Sequence, residues 1–170
     1  QTDVASTMVI SNEVDKLGMD LNEAGYLIGL VMECYEKGVI TVEDTDGLEM
    51  TWGNAEATRA MLRKVANREG FGDILAEGTM RAARLIGGEA PNMAVPTMKG
   101  NAPRGHDHRS LWHELFDTCV SNTSTIETAR QTSRTMFGLS DKGDPFDPEE
   151  VVTFTAKTKG SMQFEDALGI

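Results

Sequence analysis

Apolar residues recur at intervals of three and four along most of the chain, which is the spacing of one face of an α-helix. Glycines and prolines separate these stretches, and only residues 39–41 suggest a short extended piece. The pattern predicts a mainly α protein, an irregular multi-helix bundle. The predicted helices cover residues 5–17, 21–37, 55–69, 73–86, 110–120 and 126–136, with a last helix that begins at Asp147-Pro148.

The second predicted helix is apolar around nearly its whole circumference, which is typical of a helix buried inside a larger protein. Gly25 and Gly29 stand four residues apart on it and would allow close contact with another helix. Asp20 is the predicted N-cap, and Glu23, three residues later, completes a capping box. On the first helix, Met8, Val9, Val14 and Leu17 are expected to face the core.

Composition narrows the classes of function. The 170 residues carry a net charge of −11, which argues against binding to nucleic acid or to an anionic membrane surface. The longest apolar run, Ala24 to Met32, is too short to span a bilayer, and the chain does not begin with a signal-peptide pattern. Cys34 and Cys119 form neither a disulfide framework nor a zinc signature, and Cys119 is expected to be a small buried residue. We therefore expect a cytoplasmic protein.

Two similar motifs stand near opposite ends of the chain, Asp15-Lys16-Leu17-Gly18-Met19-Asp20 and Asp166-Ala167-Leu168-Gly169-Ile170. The Asp of each offers two acceptor oxygens to a paired donor edge, such as a guanidinium or an aminopyrimidinone ring. The Gly lets the backbone approach a flat ligand. The same spacing occurs in ordinary turns and helix caps, which remains the alternative. Because the chain lacks an initiator Met and ends within the second motif, we expect a fragment of a longer protein.

The stretch from Lys99 to Arg109 is basic and carries His106 and His108 on either side of an Asp. These histidines are candidate metal ligands, although the basic residues around them suit an anionic ligand better, and a solvated loop remains possible. Glu114 and Glu127, on the helices that follow, are candidates for proton transfer if they lie in dry sites.

Together these stretches resemble the C-terminal helical region of the aldehyde ferredoxin oxidoreductase family, the tungsten bis-pterin enzymes. The first motif resembles the family's first pterin motif, Asp-x-x-Gly-Leu-Asp, with Met19 in place of Leu. The chain's last residues resemble the second, Asp-x-x-Gly-Leu-Cys, without its Cys. Further similar stretches are Glu33 to Gly38, Trp52-Gly53-Asn54, Arg68 to Gly78, and Lys99-Gly100.

The resemblance implies two helical domains, residues 1–98 with the first motif and residues 99–170 as the start of a second. Two pterins would hold one tungsten or molybdenum atom, to which no residue of this chain is a ligand. The Cys beyond the second motif would bind a [4Fe–4S] cluster whose other ligands lie upstream, together with an N-terminal domain. Expected partners are a ferredoxin or another electron-transfer protein, and a small organic substrate. The residues implied to bind pterin are Asp15, Gly18, Met19, Asp20, Asp166, Gly169 and Ile170.

The chain departs from the family's pattern around its candidate catalytic residues. The family's Asp-Pro-Arg is Asp107-His108-Arg109 here, and Glu127 stands where the aldehyde enzymes place a proton-handling His. We assign proton transfer to Glu127, with His106 and His108. The reaction is either oxidation of an aldehyde or oxo-type substrate, or reduction of the aromatic ring of benzoyl-coenzyme A. Alternatives of other classes are a non-catalytic helical binding module and a small metal-binding protein.

Overall fold

A computed structural model describes residues 3–103, 105, 109, 112–121, 144–160 and 168. These residues form helices and turns without a strand, so the predicted mainly α fold is confirmed. None of the described helices has the length and hydropathy needed to cross a bilayer. The helices of the described residues are α1 (Val4–Lys16), α2 (Leu21–Glu36), α3 (Ala55–Asn67), α4 (Phe71–Leu75), α5 (Thr79–Ile86), α6 (Ala90–Met93), α7 (Trp112–Val120) and α8 (Pro148–Thr158).

The chain divides into two compact units, Gln1–Pro103 and Arg104–Ile170. The first unit contains α1 to α6, and the second contains α7 and α8. The functional domains expected from the resemblance, divided after residue 98, stay a prediction.

Side-chain caps stand at the start of α2, α3 and α8. The Asp20 carboxylate accepts the Glu23 N–H at 2.7 Å at the start of α2, and Asn54 accepts an N–H of the first turn of α3. Asp147 accepts the Glu149 N–H at 2.9 Å, with proline as the first residue of α8. Each cap satisfies a backbone donor that has no carbonyl partner inside its helix.

The single helix predicted over residues 73–86 is wrong. α4 ends at Leu75 and α5 begins at Thr79, because Gly78 has a φ of +84° that interrupts the helical backbone. The Thr79 N–H then donates to the Glu23 side chain. The extended piece predicted at residues 39–41 is also wrong, since the N–H groups of Val39 and Ile40 turn back to the Cys34 carbonyl in the last turn of α2. The Thr41 N–H donates instead to the Asp44 carboxylate.

The core of the first unit is built around α2, which packs against α1, α5 and α6, while α3 packs against α1 and α4. On α1, Ile10, Val14 and Leu17 form one stripe that faces this core, and Val14 is fully buried. Met8 and Val9, predicted to face inward, are exposed because they lie off that stripe at 100° per residue. The largest fully buried side chains of the unit include Met50, Met61, Leu62, Leu75 and Val31.

In the second unit, α7 and α8 pack against each other. The Asp117 carboxylate is 1% exposed and accepts the Lys159 ammonium at 2.9 Å. The His113 ring meets the Phe154 ring edge-on, with centroids 5.7 Å apart. Cys119 is exposed rather than buried, because it lies on the face of α7 turned away from this contact.

Candidate functional site

The first motif forms the turn between α1 and α2. The Gly18 N–H donates to the Asp15 carbonyl at 3.0 Å, and the Met19 N–H donates to the Val14 carbonyl at 3.2 Å. This pair of bonds is the Schellman motif, which requires a left-handed residue just past the helix end. Gly18 meets that requirement with a φ of +72°. The shape of the turn therefore comes from backbone bonds inside the motif itself.

The two carboxylates of this turn differ in their contacts. Asp20 uses Oδ1 to cap α2. Asp15 is exposed, and its carboxylate receives no hydrogen bond or ion pair from the part of the chain that the structure describes. It lies in the last turn of α1, where the helix dipole disfavours a negative charge. This carboxylate does not stabilise the helix and is accessible to a ligand.

A flat heterocycle with a paired donor edge fits the geometry of the turn. The position of a Cβ on Gly18 has no atom within 4 Å, so the backbone there is open to close approach. The exposed oxygens of Asp15 are suited to accept two donors of such an edge. The residues expected to form the matching second motif, Asp166, Gly169 and Ile170, lie outside the described residues. The first half of the implied pterin site is therefore the half that the structure describes.

The predicted proton-handling residues also lie outside the described residues: Glu127, His106 and His108. Their assignment stays a prediction. Glu114, on α7, is described and buried. Among the described residues, no cluster of three or more His, Cys, Asp or Glu side chains is arranged to hold a metal ion.

Glu23 links the first motif to two distant parts of the first unit. Its Oε1 accepts the Thr79 N–H at 2.5 Å, and its Oε2 accepts the Ala102 N–H at 2.6 Å. Thr79 is the first residue of α5, where uncompensated N–H groups favour a carboxylate. The predicted capping box is therefore wrong in its second half, because Glu23 turns away from the N-cap toward these two donors. No sequence pattern near Glu23 signals contacts that span 56 and 79 residues.

Residues 97–103, which contain the Lys99-Gly100 pair, form a loop that is fixed to the rest of the unit. The Thr97 N–H donates to the Asn101 carbonyl at 2.8 Å. Gly100 has a φ of +94°, and a Cβ there would lie 2.6 Å from the Met80 methyl group on α5. The loop therefore packs on α5 before Ala102 reaches Glu23.

The stretch from Arg68 to Gly78 has a structural role in the first unit. Arg68 ends α3 in the left-handed conformation, with a φ of +54°, and its guanidinium pairs with Asp73 and Glu77, each at 2.8 Å. A Cβ on Gly72 would overlap the Lys64 backbone. The stretch is therefore shaped to bring α4 close to α3.

Asp46 also holds α3 and α4 together, because it contacts a residue of each helix. Its carboxylate accepts the Phe71 N–H at 2.9 Å and the Lys64 ammonium at 3.1 Å. The Phe71 hydrogen bond, followed by the Lys64 contact, lowers the pKa of Asp46. A Cβ on Gly70 would collide with this carboxylate, so Gly70 leaves the space that Asp46 occupies.

An apolar groove of about 200 Å³ opens beside the turn between α1 and α2. Gly25 and Gly29 lie on its floor, and the positions of their Cβ atoms have no atom within 4 Å. Among the described residues no helix occupies the close approach that these glycines would allow, since the groove lies on that face of α2. Trp52 stands at the edge and donates its indole N–H to Glu36 at 3.0 Å. Other lining residues are Ile10, Leu21 and Leu62.

Comparison with known proteins gives a consistent result. The family described as aldehyde ferredoxin oxidoreductase, domains 2 and 3, matches residues 1–170. The tungsten-containing aldehyde ferredoxin oxidoreductase of Pyrococcus furiosus is 38% identical over 112 residues, which are 64% of this chain and 18% of that protein. The aliphatic sulfonate oxidoreductase, WOR-like subunit, of the same organism is 40% identical over 105 residues, 59% of this chain and 16% of that protein.

A solved structure is also similar. The active-site complex BamBC of benzoyl coenzyme A reductase, bound to 1,5-dienoyl-CoA, includes a chain with 34% identity and a TM-score of 0.54. The similarity covers 59% of this chain and 15% of that chain. This chain thus spans less than a fifth of the length of each of these proteins.

Proposed function

This chain belongs to the aldehyde ferredoxin oxidoreductase family, and we propose that it is the pterin-contacting helical part of a tungsten-containing oxidoreductase. The match over residues 1–170 supports the family, and the observation that carries the proposed role is the exposed Asp15 near Gly18, with which no described side chain pairs. We place the enzyme in the cytoplasm. Molybdenum is the alternative to tungsten as its metal.

The residues of the first motif have distinct roles in this proposal. Asp15 accepts the donor edge of one pterin ring, and Gly18 lets that ring approach the backbone. Asp20 caps α2 and, with Met19, completes the turn. When bound, the metal and its two pterins supply two-electron redox chemistry. Binding of the second pterin is assigned to Asp166, Gly169 and Ile170.

Protons are handled by Glu127, with His106 and His108, in the same proposal. A carboxyl or imidazole group next to a substrate transfers protons efficiently when its pKa is close to the working pH. The substrate is an aldehyde or a related oxo compound. A [4Fe–4S] cluster and a ferredoxin-like protein carry the electrons away, and a separate N-terminal domain completes the enzyme.

Reduction of an aromatic ring is the second candidate function. The similarity to the active-site complex of benzoyl coenzyme A reductase favours it, at a TM-score of 0.54 and 34% identity. Ring reduction consumes protons together with electrons, which suits Glu127, His106 and His108 in place of the aldehyde enzymes' pattern. A non-catalytic binding module remains the candidate from another class.

Metal analysis of the full-length protein, purified without oxygen, tests the proposal. We expect tungsten or molybdenum together with iron and a releasable pterin. Activity with aldehydes and an artificial acceptor, measured beside oxidation of a dienoyl-coenzyme A, separates the two reactions. A folded, metal-free protein from cells supplied with tungsten and molybdenum would contradict the enzyme and favour the binding module.

A further inference from the structure

We infer that Glu23 is a positioning residue, which holds the pterin-contacting turn (residues 15–20) in fixed relation to the segment that leads toward His106. The inference rests on the proposed function, because it assigns a role within the same site. Nothing about Glu23 in the family resemblance or in the predicted capping box points to this role.

Both carboxylate oxygens of Glu23 accept backbone N–H groups, and the two donors come from different elements. Oε1 receives the Thr79 N–H at the start of α5, and Oε2 receives the Ala102 N–H in the loop of residues 97–103. The described residues place no cation in an ion pair with Glu23. Its negative charge is therefore balanced by oriented N–H groups, which act only at short range and in a fixed direction.

A hydrogen bond joins the backbone of Glu23, in the first turn of α2, directly to the pterin-contacting turn. Its N–H donates to the Asp20 carboxylate at 2.7 Å, and Asp20 is the last residue of the motif. Glu23 thus donates its backbone N–H to the cap of α2, while its side chain accepts the N–H groups of Thr79 and Ala102. A displacement of residues 97–103 would be transmitted through one side chain to the turn that contains Gly18.

The surroundings leave little freedom for other arrangements. Ala102 is buried, so water cannot easily replace the carboxylate as the acceptor of its N–H. A Cβ on Gly78 would lie 3.3 Å from Oε1, so the chain at this point leaves room for the carboxylate and little more. Ala102 belongs to the stretch from Lys99 to Arg109 and precedes His106 by four residues in the sequence. Glu23 therefore ties the pterin-contacting turn to the chain that leads to the proposed proton-handling residues.

The test compares three variants of the full-length protein, purified without oxygen. Glu23→Gln keeps the shape of the side chain but presents an amide NH₂ to one of the two N–H donors. Glu23→Asp keeps the charge but is too short to reach both donors. Glu56→Gln is the matched control, because Glu56 is an exposed carboxylate in the first turn of α3 whose ion pair, among the described residues, is with Arg59.

Hydrogen exchange measured by mass spectrometry reports the contacts without any need for activity. In Glu23→Gln, peptides that contain Thr79 and Ala102 are expected to exchange roughly 10- to 100-fold faster, the effect of losing a bond to a charged group. Glu56→Gln is expected to leave these peptides unchanged. Unchanged exchange in Glu23→Gln would overturn the inference. If Glu23→Gln does not fold, the same measurement on Glu23→Asp decides.

A spectroscopic measurement separates positioning from mere stability. At equal tungsten content, Glu23→Gln is expected to shift the midpoint potential and the paramagnetic resonance signal of tungsten, whereas Glu56→Gln leaves both unchanged. Faster exchange with an unaltered signal would overturn the positioning role and leave Glu23 structural. A wild-type protein that contains neither tungsten nor molybdenum, although its cells were supplied with both, would instead overturn the proposed function together with this inference, so the two failures are distinguishable.

Discussion

The Oε2 atom of Glu23 accepts the backbone N–H of Ala102 at 2.6 Å, although 79 residues separate them in the sequence. A contact of this kind depends on a main-chain donor, so Ala102 needs no particular side chain to make it. This hydrogen bond joins the start of α2 to the end of the first unit.

Gly18→Ala is expected to destabilise the first unit by about 1–2 kcal/mol, because alanine resists the left-handed conformation at a φ of +72°. Gly25→Ala is the matched control. Gly25 is helical and has open space at its Cβ position, so the same substitution is expected to stabilise by about 0.5–1 kcal/mol. Urea unfolding followed by Trp52 fluorescence in a Trp112→Phe background measures both. Equal effects would contradict the assignment of the turn.

Asp15→Asn is expected to leave the stability of the chain unchanged or to raise it by up to about 1 kcal/mol, because it removes a negative charge from the end of α1. The same variant of the full-length protein is expected to lose most of its pterin and tungsten. The measurements are urea unfolding and metal and pterin analysis.

Glu69→Gln is the control for Asp15→Asn. Glu69 is also an exposed carboxylate just beyond a helix end, and no described residue pairs with its side chain. It should leave pterin content at the wild-type level. Full pterin content in Asp15→Asn would remove Asp15 from the site.

Glu13 makes the stability of the first unit depend on acid pH. Its carboxylate accepts Arg59 Nε at 2.6 Å and pairs with Arg63, and the Arg59 hydrogen bond is the main cause that lowers its pKa. A lowered pKa in the folded state stabilises above the unfolded glutamate pKa of about 4.3, and this contribution is lost as pH falls through the folded pKa. Glu13→Gln should therefore be less stable than wild type at pH 7 and equal to it once Glu13 is protonated.

The urea midpoint, measured from neutral to acid pH, tests this linkage. Glu43→Gln is the control, because Glu43 is exposed and no described side chain pairs with it. Its curve should run parallel to that of wild type. A constant difference between Glu13→Gln and wild type at every pH would show that the ion pair is not the cause.

Gly72→Ala is expected to destabilise by about 1–3 kcal/mol, since its Cβ would overlap the Lys64 backbone and force α4 away from α3. Gly29→Ala, in a helix with open space at the same position, serves as the control and should not destabilise. Thermal unfolding of the two variants gives the comparison. A small effect at Gly72 would mean that α3 and α4 separate easily.

Local features of the fold could be predicted from the sequence. The cap at Asp20 and the start of α8 at Asp147-Pro148 are confirmed, because a cap needs only a short polar side chain and a donor two or three residues away. Periodicity correctly predicts α1, α2, α3 and α7 but not the break between α4 and α5, and the helix predicted at residues 126–136 lies outside the described residues. Gly25 and Gly29 show the limit of prediction from the sequence. Small residues indicate that another group can approach the helix closely, but not whether that group is a helix.

In the candidate site, too, the local features could be predicted from the sequence and the long-range contacts could not. The Asp-x-x-Gly spacing correctly marked a turn, and the structure adds that Gly18 closes a Schellman motif while Asp15 remains open. The break before Thr79 could not be predicted, because the acceptor of its N–H is Glu23, which is remote in sequence. Binding of pterin by Asp15 and proton transfer by Glu127 stay predictions.

The two backbone bonds that shape the turn between α1 and α2 join residues of the chain to one another. The turn can therefore form as soon as α1 does, before any pterin arrives. Binding of the assembled cofactor to this already folded turn would then be a separate step from folding. If the chain binds pterin as proposed, a cell that lacks tungsten would accumulate folded, cofactor-free protein, which a later supply of the metal could mature without new protein synthesis.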